Sequence, residues 1–131
     1  MPFDGSHIKE SDATKVLKNA RKLITNPKNH CIGVDERIRQ GVRQYCAVGA
    51  LSAATYKLKL NDYSASYVEA IHLLSEQATF RGVDPCHHIR ITSRSTNIQK
   101  VVGHNNGLGH GPTLEMFDKA IAASICNDMR S

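Results

Sequence analysis

The chain has no tryptophan, and only three phenylalanines and four tyrosines among its 131 residues. A core without aromatic bulk must be filled by Leu, Ile, Val and Ala, which suits helices packed on helices. No apolar run approaches the roughly 20 residues that span a bilayer as a helix, so no membrane partner is expected. Met1 to Glu10 is polar and does not read as a signal peptide. It is expected to be a mobile lead-in to a single domain over 11–131. None of the four cysteines, Cys31, Cys46, Cys86 and Cys126, stands in a Cys-x-x-Cys pair. With no leader expected, that scatter predicts free thiols in a reducing, cytoplasmic setting. No block of like charges interrupts the chain, and the net charge of +5 is spread along it. Such a charge permits contact with nucleic acid or an acidic protein and requires neither.

What the chain does have is a run of small residues. Six of the ten residues from Tyr45 to Ala54 are Ala, Gly or Ser. The pattern predicts a helix over about 42–57 with a stripe at Val42, Cys46, Gly49, Ala50 and Ala53, against which neighbours approach closely. The terminal helix and the segment around Asn105 are expected to lie there. A first helix is predicted from Ser11 or Asp12, with Val16, Leu17, Ala20, Leu23 and Ile24 inward, ending at Asn26-Pro27. Residues 29–40 read as a loop, with either a turn of helix or a short extended segment within it. Ser66-x-x-Glu69 looks like a capping box for a helix over about 64–79, with Val68, Ile71, Leu74 and Ala78 inward. Thr96 or Asn97 opens a short helix carrying Ile98, Val101 and Val102. Four glycines in the eleven residues Gly103 to Thr113 predict a loop, after which Thr113 caps a last helix with Phe117, Ile121, Ser124 and Ile125 buried. The fold class is therefore mainly α: a bundle of four main helices plus a short one around the small-residue helix. A short extended pair using 32–34 and 89–91 is compatible with it.

Two of these motifs, taken together, carry a resemblance. Cys46-Ala47-Val48-Gly49-Ala50-Leu51, and an Asn-containing segment before a terminal amphipathic helix, are similar to a family of bacterial and phage proteins known as domain of unknown function 6197. Cys31-Ile32-Gly33 resembles that family's Cys-x-Gly element. His104-Asn105-Asn106 resembles its Trp-Asn-Asp element, with His in place of Trp and Asn in place of Asp. The resemblance runs from about residue 20 to 123. It implies a mostly helical domain and no activity; if the family's Asp acts chemically, this chain lacks that acid.

The best candidate for a ligand or partner site is the glycine-rich segment with His104, Asn105, Asn106 and His110, joined by His30. Glycines let backbone N–H groups face an anion, and a helix starts directly after them. The plainer reading is that the asparagines tie up backbone groups in a tight connection. There is no Gly-Lys-Ser/Thr of a phosphate loop. Cys86-His87-His88 with His104 and His110 match no zinc spacing, so no metal and no cofactor is assigned. Cys31 or Cys46 as a nucleophile would need His30 or His104 within reach and an acidified thiol; no catalytic residue is assigned. Lys15, Lys18 and Lys22, and separately Arg37, Arg39 and Arg43, form candidate basic surfaces, though without a helix-turn-helix or stacking aromatics beside them. Tyr56, Tyr63 and Tyr67 cluster around a loop and cover either a core edge or a contact. The leading expectation is a non-enzymatic accessory protein of bacterial or phage origin that works through protein contacts. The alternatives are a small ligand-binding protein or enzyme using the 104–110 segment, and nucleic-acid binding through the basic faces. A concave polar cavity at His30, His104 and Asn105 would favour the former alternative. Oligomeric state is left open.

Overall fold

The computed structural model describes residues 9–79 and 93–130, with side chains from 96 onward in the second stretch. The elements are α1 (Asp12–Leu23), a 3-10 turn (Pro27–Asn29), β1 (Glu36–Arg39), β2 (Val42–Tyr45), α2 (Ala47–Lys57), α3 (Ala65–Gln77), α4 (Ser93–Leu108) and α5 (His110–Arg130). The protein is thus mainly α, with one two-stranded antiparallel sheet among the described residues.

Helix α1 follows its amphipathic pattern. Ser11 caps it, accepting from the Thr14 N–H at 3.3 Å, and Val16, Leu17, Ala20 and Ile24 are fully buried. Its polar face is fastened to α5. Arg21 Nε donates to Asp118 at 2.9 Å, and buried Thr14 donates to Asp128 Oδ2 at 2.6 Å. A carboxylate only accepts, so Thr14 spends its one proton there, and the 2.6 Å contact with Ser124 is Ser124 donating. Helix α3 is capped by Ser64 rather than by the Ser66 of the expected capping box. Ile71 and Leu74 face inward as expected, whereas Val68 is 39% exposed.

Three expectations are corrected. The small-residue helix does not begin at Val42: residues 42–45 are β2, and Cys46 is the N-cap of a shorter helix. The signal was Gln40-Gly41. Both have positive φ, 52° and 78°, and Arg39 pairs with Val42. That is a two-residue turn of the type whose twist matches a hairpin. The strand pair among the described residues is 36–39 with 42–45; 32–34 lies outside both strands, and its expected partner, Ile89 to Ile91, lies outside the described residues.

The second correction concerns Gly103 to Thr113. No loop is present. Helix α4 runs on to Leu108, and α5 starts at His110. Only Gly109, with φ +87°, interrupts them; its left-handed conformation is the one a side chain would resist. Thr113 is not the cap but lies inside α5, its hydroxyl donating to the Gly109 carbonyl at 2.6 Å. Pro112 is tolerated because a helix's first turn needs no N–H from it. Each helical glycine costs about 1 kcal/mol relative to alanine. Tertiary hydrogen bonds from His104 and Asn105, described below, offset that cost. The short helix expected at 96–102 is thereby a long one.

Helix α2 packs on α1, α3 and α4, whereas α5 packs on α1, α3 and α4. The expected seat of α5 on the small-residue face is corrected: what lies against Gly49 is backbone. A Cβ there would come within 1.8 Å of the Asp35 carbonyl oxygen. The side chain missing from Gly49 makes room for the 31–35 segment, which crosses over the start of α2.

Candidate functional site

Asn105 is the point where the sequence motifs meet. It is fully buried on α4. Its Oδ1 accepts from His30 Nε2 at 2.6 Å and from the Ala47 N–H at 3.1 Å. Its Nδ2 donates to the Cys31 carbonyl at 3.2 Å and to Asn106 Oδ1 at 3.0 Å. The Ala47 amide can only donate and the Cys31 carbonyl can only accept, so these two partners fix the orientation of the amide. Asn106 Oδ1 also accepts from the Gly33 N–H at 3.1 Å. Cys31-Ile32-Gly33, the start of the Cys46-to-Leu51 segment and Asn105-Asn106 are thus joined through two adjacent side chains.

The 31–35 segment is secured from its other end as well. The Cys46 N–H donates to the Asp35 carbonyl at 3.0 Å, and Cys46 Sγ accepts from the Gly49 N–H at 3.4 Å. The first amides of α2 are therefore occupied by Asn105 and Cys46, which leaves no open anion cradle there. Burial pushes the Cys46 thiol up to about 11; the Gly49 N–H opposes this and the nearby Asp35 carboxylate adds to it. Burial raises the Cys31 thiol too. Neither is an activated nucleophile by the thiolate criterion.

Three of the four described histidines are brought near this point but have separate tasks. His30 donates through Nε2 to Asn105, and burial lowers its pKa below the usual 6.5, against the pull of that hydrogen bond and with a further lowering from His110. The His110 ring lies 5.2 Å from that of His30, and its Nε2 donates to the Ile24 carbonyl at 2.7 Å. His104 faces elsewhere: Nδ1 accepts from the Thr79 N–H at 3.0 Å and Nε2 donates to the Pro112 carbonyl at 2.9 Å. Both bonds are made together by the neutral Nε2–H tautomer.

Two depressions lie beside these elements. A depression of about 80 Å³ lies beside His104, between Gln77, Thr79 and Glu115. Another of about 140 Å³ lies between α1 and α2, lined by Asn19, Lys22, Leu23, Ala54 and Lys57. Neither is lined by His30 or Asn105, and both fall short of the roughly 300 Å³ at which small-molecule sites begin. No three His, Cys, Asp or Glu side chains converge on a metal position among the described residues. Cys86, His87 and His88 lie outside them.

The basic residues fall on two separate elements. Lys15 and Lys22 are exposed on α1, and Lys18 is paired with Glu10. Arg37, Arg39 and Arg43 stand on the hairpin, which is exposed along most of its length. Arg43 pairs with Glu36, Arg37 Nε donates to Gln44 at 2.6 Å, and Arg39 has no side-chain partner among the described residues. Alongside them Ile32, Val34, Val42 and above all Ile38, at 64%, are exposed. This apolar and basic projection was missed in the sequence, because its residues were divided between a loop and a helix. Of the tyrosines, Tyr67 is core, while Tyr56 and Tyr63 are exposed.

The chain belongs to a family of unknown function, DUF6197, whose sequence profile matches residues 9–123. No curated protein and no solved structure matches the chain. No helix among the described residues is long and apolar enough to cross a membrane.

Proposed function

We propose that this is a non-enzymatic accessory protein, cytoplasmic and of bacterial or phage origin, that works through protein contact, and that the 36–45 hairpin is its contact surface. The observation that carries this reading is the exposure of Ile38, at 64%, on one face of the hairpin and of Val42 on the other, with Ile32 and Val34 exposed in the segment before it. A two-stranded hairpin is at best marginally stable by itself in water, so one that exposes apolar side chains on both faces gains from a partner that covers it. The Asn105 cluster then has a mechanical role. It holds 30–35 against α2 and so fixes the base from which the hairpin projects. The free thiols of Cys31, Cys46 and Cys126 agree with a reducing compartment.

The test is site-directed photocrosslinking in cells of the source organism. A photoreactive residue at Ile38 should give a discrete protein adduct, and one at Lys119, exposed on α5, should not. Absence of an adduct from position 38, or equal labelling from both positions, overturns the reading. Adducts with nucleic acid from the hairpin would favour the basic-surface alternative.

A further inference from the structure

This inference rests on the hairpin being the contact surface. We infer that the outer edge of β1 receives an extended segment of a partner protein as a third strand, with acidic residues alternating with apolar ones.

The two edges of the sheet differ. The outer side of β2 is already occupied: Asn29 Nδ2 donates to the Arg43 carbonyl at 3.1 Å, the Cys31 N–H donates to the Tyr45 carbonyl at 3.0 Å, and His30 bridges Tyr45 in parallel. The other side of β1 pairs with no strand among the described residues, and all four of its residues are exposed. An edge of this kind offers a row of backbone donors and acceptors to an added strand.

The side chains along that edge set what can be added. Alternation places Arg37 and Arg39 on one face of β1, and Glu36 and Ile38 on the other. A new strand sets its own residues directly opposite these, where opposite charges attract and like charges repel. The complement of Arg37-Ile38-Arg39 is therefore acid, apolar, acid. A second copy of this chain does not supply it. A two-fold axis through the sheet pairs residues of equal parity. The two such registers that align three residues of β1 set Arg37 opposite Arg37, or Arg37 opposite Arg39. Nucleic acid is also a poorer fit, because Glu36 already pairs with Arg43 and Asp35 adds another negative charge at the base of the strand.

The probe is a fluorescent peptide alternating Glu and Val, titrated into the full-length protein and compared with its Lys and Val counterpart. The Glu peptide should bind and should slow amide exchange in β1. The double variant Arg37→Glu/Arg39→Glu should bind it about tenfold more weakly or worse, since two attractive cross-strand pairs become repulsive, and should gain affinity for the Lys peptide. If that variant loses its helical circular dichroism, Arg37→Gln/Arg39→Gln replaces it, and the loss for the Glu peptide is still expected. No binding by the Glu peptide, binding without protection of β1 amides, or tighter binding of a duplex oligonucleotide each overturns the inference. If the peptide fails while Ile38 still crosslinks to a protein, strand addition is wrong and the contact surface stands. If neither occurs, both readings fall.

Discussion

The carbonyl oxygen of Asp35 lies 1.8 Å from the point a Cβ on Gly49 would occupy. In an ordinary helix, replacing glycine by alanine gains up to about 1 kcal/mol. Here the methyl group would overlap backbone that cannot rotate away as a side chain can. Gly49→Ala should therefore destabilise by about 1–3 kcal/mol, the usual range for overpacking. Gly111, helical and with open space around it, is the internal control. Gly111→Ala should be neutral or stabilising. Urea midpoints of both variants check this, and a Gly49→Ala protein as stable as the parent would disprove the close crossing.

Asn105 should behave as a structural keystone. Asn105→Ala leaves the Ala47 N–H, the Cys31 carbonyl and His30 Nε2 without their partner. Each buried unpaired group costs about 1–3 kcal/mol, so the variant should lose at least about 3 kcal/mol or fail to fold. Asn106→Asp should be tolerated, because both contacts of Asn106 use Oδ1 as an acceptor, which a carboxylate reproduces. Thermal melts of the two variants separate these outcomes. An Asn105→Ala protein with unchanged melting would instead point to a ligand site.

The interchange at position 106 also bears on how much of the protein was legible beforehand. Where burial was apolar and periodic, as at Val16, Leu17 and Ala20 or Ile71 and Leu74, the pattern located helices well. It failed where polar residues form the core. In α4 the inward positions include His104 and Asn105, so the apolar period fades amid glycines even though the segment is helical. Their partners lie up to 75 positions away in sequence, and no local rule registers them. The hairpin was hidden for the opposite reason. Its strands are exposed and barely alternate, and the small residues that follow extended the apparent helix backwards through Val42. The importance of Asn105 was legible from the motifs, but its role as a buried junction was not.

Thiol reactivity should follow exposure. Cys126 is exposed on α5, whereas Cys31 and Cys46 are buried. With its pKa raised to about 11, Cys46 holds only on the order of one part in ten thousand as thiolate at neutral pH, and the thiolate is the reacting species. Iodoacetamide at pH 7 should modify Cys126 well before Cys31 or Cys46, with the latter two reacting after urea is added. Peptide mapping by mass spectrometry reads the order directly. Fast modification of Cys46 in the folded protein would revive a nucleophile there.

The turn at Gln40-Gly41 can be tested without touching the core. Gly41 has φ +78° with open space where a Cβ would stand, so Gly41→Ala introduces conformational strain and no clash. Left-handed backbone costs a non-glycine residue about 1–2 kcal/mol. Because the hairpin is exposed, that cost should appear as faster amide exchange in β1 and β2, with little change in the global melt. A global loss as large as that of Gly49→Ala would mean the hairpin is integral to the core.

His30 predicts a specific acid sensitivity. Its folded pKa lies below the ordinary 6.5, chiefly because burial disfavours the imidazolium. The folded state thus binds fewer protons than the unfolded state below that value. The stabilisation is complete above pH 6.5 and is lost as pH falls from there through the lowered folded value. Asp128 acts in a different window. Burial raises its carboxyl, but the hydrogen bonds from Thr14 and Ser11 outweigh this and hold it below 3.8. Its contribution is therefore lost only at still lower pH. Urea midpoints should accordingly fall between about pH 7 and pH 5. His30→Gln keeps a donor toward Asn105 but cannot titrate, so it should flatten the slope in that interval while leaving the loss at lower pH. If the variant retains the parent's slope between pH 7 and 5, another group carries the transition, and neutral His30 is not what holds the 30–35 segment against α4.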